Sequence, residues 1–374
     1  MGKKNLAIIG ASYLQLPLIE KAKEMGFVTH VFAWAANDIG ESAADYFYPI
    51  SIIEKEKITK KCKEIDICGV CSIATDLGAV TVNYVANELG LPGNSMEATY
   101  KSSNKHLMRL AFEQNGDPSP KSILVDEHTD VSTLDLTYPI IVKPTDRSGS
   151  RGICKLDSSD GIENAIKEAI DAGFDKKALV EEFVEGQEYS VEAITYKGVH
   201  HILAVTLKYT TGAPHFIETG HLEPAPISNM LRNRIDQVVV HALNSLGITN
   251  SASHSEIKID NSGNIKIIEI GGRMGGDCIG SDLVYYSTGI DYVQAVILVA
   301  CGIAPDLSIK RTPQPVEVKF IFTQNDVDEM KKMRSTDKFL KLVSYSPQNI
   351  GKTTDSSNRA GCYLYKSTDR ADNT

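Results

Sequence analysis

No stretch of this 374-residue chain approaches the roughly 18 consecutive apolar residues that a membrane helix requires, so no membrane contact is expected. The N-terminus also lacks a separate apolar segment followed by a small-residue cleavage site. Met1-Gly2-Lys3-Lys4-Asn5 runs directly into Leu6-Ala7-Ile8-Ile9, and the expectation is a cytoplasmic protein. Basic character is missing too. The 39 Lys and Arg are interspersed among 48 Asp and Glu, for a net charge of −9, so nucleic acid is not an expected partner. A small polyanion still fits wherever a few cations and backbone N–H groups converge. Seven cysteines, odd in number and irregular in spacing, suit a reducing compartment better than a disulfide framework. Cys68 and Cys71 form a CxxC inside Ile67–Ile73, which reads as a buried strand. Residues three apart on a strand point to opposite faces, whereas a redox pair opens a helix, so these read as core cysteines.

Two of the three glycines of a dinucleotide fingerprint are absent from the turn Gly10-Ala11-Ser12-Tyr13-Leu14-Gln15. It reads as a tight strand-to-helix turn. Gly351-Lys352-Thr353 fails as a phosphate loop, because Ser346 stands where that pattern needs glycine and no helix pattern follows.

What is present is a change of rhythm along the chain. Length and 42% apolar content predict two or three domains. The first hundred residues alternate strands (Leu6–Ile9, Val28–Phe32, Asp66–Ile73) with helices (Leu14–Met25, Glu54–Ile65, Leu77–Leu89), the pattern of an α/β parallel sheet. A helix over Asn104–Asn115 leads into the linker Asp117-Pro118-Ser119-Pro120. Beyond it come shorter strands and hairpins, a helix over Glu163–Ala172, a long helix over Ile227–Leu246 and another over Ile290–Ala300. Ser253–Ile259 and Ile265–Ile270 flank Asp260-Asn261-Ser262-Gly263-Asn264, a hairpin turn. A strand over Val316–Phe322 opens a small tail.

Three local patterns carry chemistry. In Tyr138–Pro144 a lysine, Lys143, ends an apolar strand, and the loop Thr145–Gly152 that follows is rich in hydroxyls, glycine and arginine. Its N–H groups, serines and arginines suit triphosphate oxygens, although a plain hairpin with a polar tip has the same look. Glu181-Glu182-Phe183-Val184-Glu185-Gly186-Gln187-Glu188 places carboxylates around a glycine crossover. Such a crossover offers backbone groups to an adenine edge and a carboxylate to ribose hydroxyls; a Glu-rich surface hairpin is the plainer alternative. Thirdly, pairing the two strands around Gly263 puts Glu256 and Glu269 nearly opposite on one face. Adjacent carboxylates repel unless a cation bridges them, and Mg²⁺ is the hard cation that completes its shell with phosphate and water. Arg273, four residues after Glu269 in a Gly-rich turn, suits a substrate carboxylate or a γ-phosphate.

In this order the pieces resemble the ATP-grasp superfamily, and within it the carboxylate–amine (L-amino acid) ligase branch, over roughly residues 1–310. Carnosine-synthase-like ligases belong to that branch, and biotin carboxylase is related. The resemblance implies a pre-ATP-grasp α/β domain over residues 1–100 and an ATP-grasp domain over 101–310. The lid subdomain would cover about 120–185, and a small β-rich C-terminal module 311–374. It implies Lys105 and Lys143 as phosphate-contacting lysines and Ser148, Gly149, Ser150, Arg151 and Gly152 as the phosphate loop. Glu181, Phe183 and Val184 would form the adenine hinge, with Glu188 on the ribose. Glu256 and Glu269 would hold Mg²⁺ (or Mn²⁺ in its place), and Arg273 would stabilise the acyl phosphate electrostatically. Many relatives carry Asn two residues after the second metal Glu; here that position is Gly271. Glu218–Pro226 resembles a substrate-proximal stretch of the ligases, and His221, His254 and Asp277 are candidates to orient the amine or take its proton. Asp355–Gly361 resembles a segment that closes the active site in similar chains. The implied reaction is ATP-dependent joining of a small carboxylic acid to an amine through an acyl phosphate, and a homodimer is compatible with the family. A kinase that stops at a phosphorylated product, or a non-catalytic ATP-binding protein, would share the same pocket residues.

Overall fold

The computed structural model describes residues 4–149, 151–212 and 216–368. A parallel sheet comes first in the chain: β1 (Asn5–Ile9), β2 (Val28–Ala33), β3 (Tyr46–Pro49) and β4 (Gly69–Cys71), in spatial order β3-β2-β1-β4. The strand expected over Asp66–Ile73 is only three residues long. Asp66 adopts a left-handed backbone (φ 60°), ending the preceding helix and using up the start of the run. Cys71 is buried, whereas Cys68 is half-buried at the strand entry, with its Sγ 3.8 Å from that of Cys301.

After the proline linker a four-stranded antiparallel sheet forms from β5 (Ser122–Val125), β6 (Ile140–Pro144), β7 (Cys154–Leu156) and β8 (Ala178–Glu182), in order β5-β8-β6-β7. One face packs on the helix Ile162–Ala172, whose buried Ile162, Ala165, Ile166, Ala169 and Ile170 recur at helical spacing. The remaining strands make one sheet of eight. They are β9 (Gln187–Tyr196), β10 (Val199–Thr210), β11 (Glu218–Glu223), β12 (Ser251–Ile259), β13 (Ile265–Gly271), β14 (Val316–Ile321), β15 (Phe339–Tyr345) and β16 (Gly361–Lys366), ordered β13-β12-β9-β10-β11-β14-β16-β15. The tail beyond residue 311 thus extends the edge of this sheet through β14, β16 and β15. Among the described residues no single helix is long and apolar enough to cross a membrane.

Two helices fix the large sheet. Ser228 Oγ accepts from the Leu231 N–H at 3.2 Å and starts Asn229–Leu246, which Gly247 ends in a left-handed turn (φ 76°). Its buried Ile235, Val239, Ala242, Leu243 and Leu246 lie on β-sheet residues such as Val191, Ile257 and Ile267. The helix Lys105–Asn115 is capped by Asn104, whose Oδ1 accepts from the N–H groups of His106 (3.0 Å) and Leu107 (3.1 Å). Lys105, Met108, Arg109 and Phe112 form its buried face, so the helical period brings two cations inside with the apolar residues. At Gly186 (φ 125°) a Cβ would lie 2.4 Å from the Ile259 carbonyl oxygen, so only glycine lets the crossover from β8 to β9 pass the end of β12.

Glu223 lies buried at the end of β11. Its Oε2 accepts from Thr206 Oγ1 at 2.9 Å, and Oε1 has no hydrogen-bond partner among the described residues. Burial, reinforced by the Glu192 charge, pushes its carboxyl up to about 8. The folded state therefore holds a proton that the unfolded chain releases near the ordinary carboxylate range. This group's contribution to stability is full below that range and is lost as pH rises toward 8. Replacing it (Glu223→Gln) is expected to remove that slope, stabilising the protein near pH 8 relative to pH 5 by on the order of a few kcal/mol. Urea unfolding of both proteins at the two pH values checks this.

Candidate functional site

Between the four-stranded sheet and the open face of the large sheet lies a cleft. Its floor on the small-sheet side is a buried ion triad. Lys143, at the end of β6, reaches Glu181 Oε2 at 2.6 Å, and Arg109 Nε reaches Glu181 Oε1 at 2.9 Å. Arg109 Nη2 also donates to the Ile268 carbonyl at 2.6 Å, tying the lysine's partner to β13. Burial raises the Glu181 carboxyl, but Arg109 and then Lys143 outweigh it and hold the group below its usual range. Burial also lowers the Lys143 ammonium, against the opposing pull of Glu181. The Glu181 side chain is thus committed to the triad, and its strand is paired with Ser122 on one side and Ile141 on the other.

The opposite wall carries the carboxylate pair. The β12–β13 hairpin registers Glu256 directly against Glu269, with a bulge just after Glu256. The turn that sets this register is held by Asp260 Oδ1, which accepts from the N–H groups of Ser262 and Asn264, both at 2.8 Å. Lys105 Nζ reaches Glu269 Oε1 at 2.9 Å and donates to the Arg147 carbonyl at 2.7 Å. Lys208, on β10, is buried among three carboxylates: Glu188 at 2.7 Å, Glu256 at 2.7 Å and Glu218 at 3.7 Å. Burial works against its charge, yet those carboxylates hold its ammonium well above the usual lysine range. Two adjacent carboxylates fit Mg²⁺, which commonly takes one or two such ligands. No group of three or more His, Cys, Asp or Glu that could hold a metal occurs among the described residues, so a cation here would complete its shell with phosphate oxygens and water.

The loop after β6 covers the cleft. Ser148 and Gly149 line it, and Ser150 lies outside the described residues. Arg151 faces an adjoining cavity. Gly152 (φ 68°) lines neither space; a Cβ there would stand 2.8 Å from the Ala172 Cβ, so it serves the packing of the loop on its helix. Phe183 and Val184 line the cleft beside Lys258, whose ammonium lies 5.0 Å from the Phe183 ring centre and donates to the Val184 carbonyl at 3.2 Å.

The adjoining cavity shares Lys208, Glu218, His254, Glu256 and Arg273 with the cleft. His254 Nδ1 is hydrogen-bonded to buried Glu192, and its Nε2 is 3.6 Å from Glu256 Oε1. Burial opposes protonation, but the Glu192 and Glu256 contacts push its imidazole up to about 9. His221 is its opposite. Burial, then Lys208, drops its imidazole to about 3, and neither ring nitrogen has a hydrogen-bond partner among the described residues. Asp277 is gripped by Arg359 Nη2 at 2.7 Å from each oxygen. Arg359 lies over the Phe320 ring at 3.7 Å, and Ser356 Oγ donates to Glu218 Oε2 at 2.7 Å, so the segment 356–359 sits across the cavity. Arg273 is held by Asp76 of the N-terminal layer through Nε at 2.8 Å and Nη2 at 3.3 Å.

Sequence reasoning missed several of these groups. Arg109 carried a usable signal, one helical turn after Lys105 on the same face. Glu218 stood inside a motif segment with no role attached, and Glu192 lay four residues beyond another. Lys208 had none, because β10 and β11 were not anticipated as strands, and Asp76 belongs to a layer remote in sequence.

Residues 136–282 match the ATP-grasp domain family model. The chain is 26% identical over 274 residues to alanine–anticapsin ligase of Bacillus subtilis (strain 168), an alignment covering 64% of this chain and 58% of that protein. It is 23% identical over 339 residues to carnosine synthase 1 of Homo sapiens, covering 82% of this chain and 41% of that one. The chain thus spans only about half the length of such curated relatives. The solved L-amino acid ligase from Bacillus licheniformis superposes with a TM-score of 0.85 at 23% identity, covering 99% of this chain and 94% of that chain. With its two antiparallel sheets closing on one cleft, the chain carries an ATP-grasp domain over residues 136–282 and has the ATP-grasp fold.

Proposed function

We propose that this protein joins a small carboxylic acid to an amine at the expense of ATP, through an acyl phosphate, releasing ADP and phosphate. One observation carries the reading. The cleft that pairs Glu256 with Glu269 and buries Lys105, Lys143 and Lys208 opens into a second cavity across a shared wall of Lys208, His254 and Arg273. A nucleotide site beside a further cavity suits phosphoryl transfer to a second bound substrate, and the relatives named above favour condensation as its outcome. The sequence similarity to an alanine–anticapsin ligase and a carnosine synthase supports the same class.

In this reading the adenine lies against Phe183 and Val184, and Glu188 faces the ribose. Lys105 and Lys143 offset the triphosphate charge, and the loop Ser148–Gly152 closes over it. Glu256 and Glu269 would hold Mg²⁺, which when bound neutralises phosphate charge and polarises the transferred group. Catalysis rests on positioning and charge rather than a protein nucleophile. Lys208 and Arg273 flank the junction where the acid's oxygen meets the γ-phosphate and stabilise the charge that develops there. Of the three side chains considered for the amine, His254 is engaged by Glu192 and Glu256, which favour its protonated form, and Asp277 is engaged by Arg359. His221 is held neutral, but both its ring nitrogens are buried and its ring packs edge-on against Phe320, so it meets the amine only if the wall around it shifts.

The test is phosphate release from ATP and Mg²⁺ against a panel of amino acids and other carboxylates, singly and in pairs, with mass spectrometry of products. Release requiring both an acid and an amine, with a condensed product, is expected. A stable phosphorylated product from one substrate alone would overturn the ligase reading in favour of a kinase.

A further inference from the structure

Gly271 stands two residues after Glu269, and the structure gives a physical reason for the glycine. A Cβ at residue 271 would lie 3.2 Å from Asp76 Oδ1 and 3.3 Å from Arg273 Cζ, tight enough that these two side chains would have to give way by a few tenths of an ångström. The room beside the second carboxylate is therefore taken by a carboxylate from the N-terminal layer. Asp76 is the first residue of the helix Asp76–Leu89, whose N-cap Thr75 accepts from the Gly78 N–H at 3.3 Å. The preceding residue, Ala74, adopts a left-handed backbone (φ 59°) and donates its N–H to the Met274 carbonyl at 3.1 Å. Residues 74–76 are thereby pinned to residues 273–274 by backbone and side chain together.

Resting on the ligase reading above, we infer that Asp76 is a positioning residue. It occupies the space left by Gly271 and fixes the Arg273 guanidinium bidentately, so that the N-terminal layer sets the orientation of the cation at the acid's binding point. The alternatives open to Arg273 explain why it needs a holder. Its nearby anions besides Asp76 are Glu269 and Glu192. Released from Asp76, the guanidinium is free to fall onto Glu269, one of the two carboxylates read as metal ligands, and to leave the acid. A bidentate Arg–carboxylate pair is the interaction best suited to prevent this, because it fixes the plane as well as the position of the guanidinium.

The inference makes residues 76 and 271 dependent on each other. Asp76→Asn, which keeps shape but weakens the grip, should raise KM for the acid about tenfold and lower kcat, with the affinity for Mg·ADP changed by less than about threefold, since uniform nucleotide binding is untouched. Asp76→Glu should recover part of the loss. Gly271→Asn should reproduce the Asp76→Asn phenotype by displacing the carboxylate, and Asp76→Ala with Gly271→Asn should be less impaired than the product of the two single effects. Effects that multiply independently, or an unchanged KM for the acid in Asp76→Asn, would overturn the inference. Amide hydrogen exchange gives a readout that needs no turnover: Asp76→Asn should speed exchange at Ala74 and over residues 271–276. Unchanged protection there would overturn the latch even if the chain proves not to be a ligase. Absence of acid-dependent ADP formation by the unsubstituted protein, with exchange behaving as expected, would overturn the ligase reading while supporting the latch.

Discussion

Glu256→Gln and Glu269→Gln are each expected to reduce ATP-dependent turnover by about 100-fold or more while leaving the fold intact. Glutamine keeps the shape and one acceptor oxygen but loses the charge that would hold a divalent cation against the phosphates. The loss follows from magnitude: metal stabilisation of transferred phosphoryl charge contributes several kcal/mol, and about 1.4 kcal/mol is a factor of ten. Folding has little at stake. Lys208 keeps Glu188 at 2.7 Å when Glu256 is neutralised, and Lys105 keeps the Arg147 carbonyl when Glu269 is. Thermal midpoints should therefore move by only a few degrees, against a collapse in turnover that added Mg²⁺ or Mn²⁺ partly relieves. Turnover within about threefold of the unsubstituted protein would remove these carboxylates from the machinery.

The second large effect is on stability. Glu181→Leu should destabilise the protein by about 3–5 kcal/mol, because it leaves Arg109 and Lys143 buried without their shared counter-charge. The Glu181 carboxyl is held low in the folded state, so the contribution it makes is present above the ordinary carboxylate range and is lost as pH falls through its depressed value. The gap between the two proteins in urea unfolding should therefore be full at pH 7 and shrink in acid. Replacing all three members by apolar residues (Arg109→Met, Lys143→Met, Glu181→Leu) should restore much of the stability while weakening nucleotide binding through the loss of Lys143. That pattern separates the structural from the binding role of Lys143. If the triple replacement is as unstable as the single one, the charges are not the cause.

How much of this was legible in the sequence depends on the range of the contact. The β12–β13 hairpin was readable, because Asp260–Asn264 is local turn chemistry and period-two geometry then carries Glu256 opposite Glu269. A helix over Asn104–Asn115 was readable, but the burial of Lys105 on its inner face was not. β10 was not, since His200, His201, Thr206 and Lys208 break the alternation and the register slips between Ile202 and Ala204. A lysine there looks solvent-facing until Glu188, Glu218 and Glu256 arrive from three other strands. Asp76 and Arg359 lie still further off: one meets Arg273 from the first layer, the other meets Asp277 from the tail. Local propensity has no access to such pairs, which exist only once the layers close. The glycine at 271 was visible as a departure, but its reason was not, because the atom that fills the space lies 195 positions earlier.

The central claim is that the acid is activated by phosphoryl transfer to its own oxygen. It is tested most directly by supplying the acid with both carboxylate oxygens labelled as ¹⁸O, together with ATP, Mg²⁺ and the amine, and weighing the phosphate released. The account predicts one ¹⁸O in each inorganic phosphate and one fewer in the amide product than in the acid. Unlabelled phosphate formed alongside a condensed product would mean that the bond between acid and amine forms without an acyl phosphate, and would contradict it.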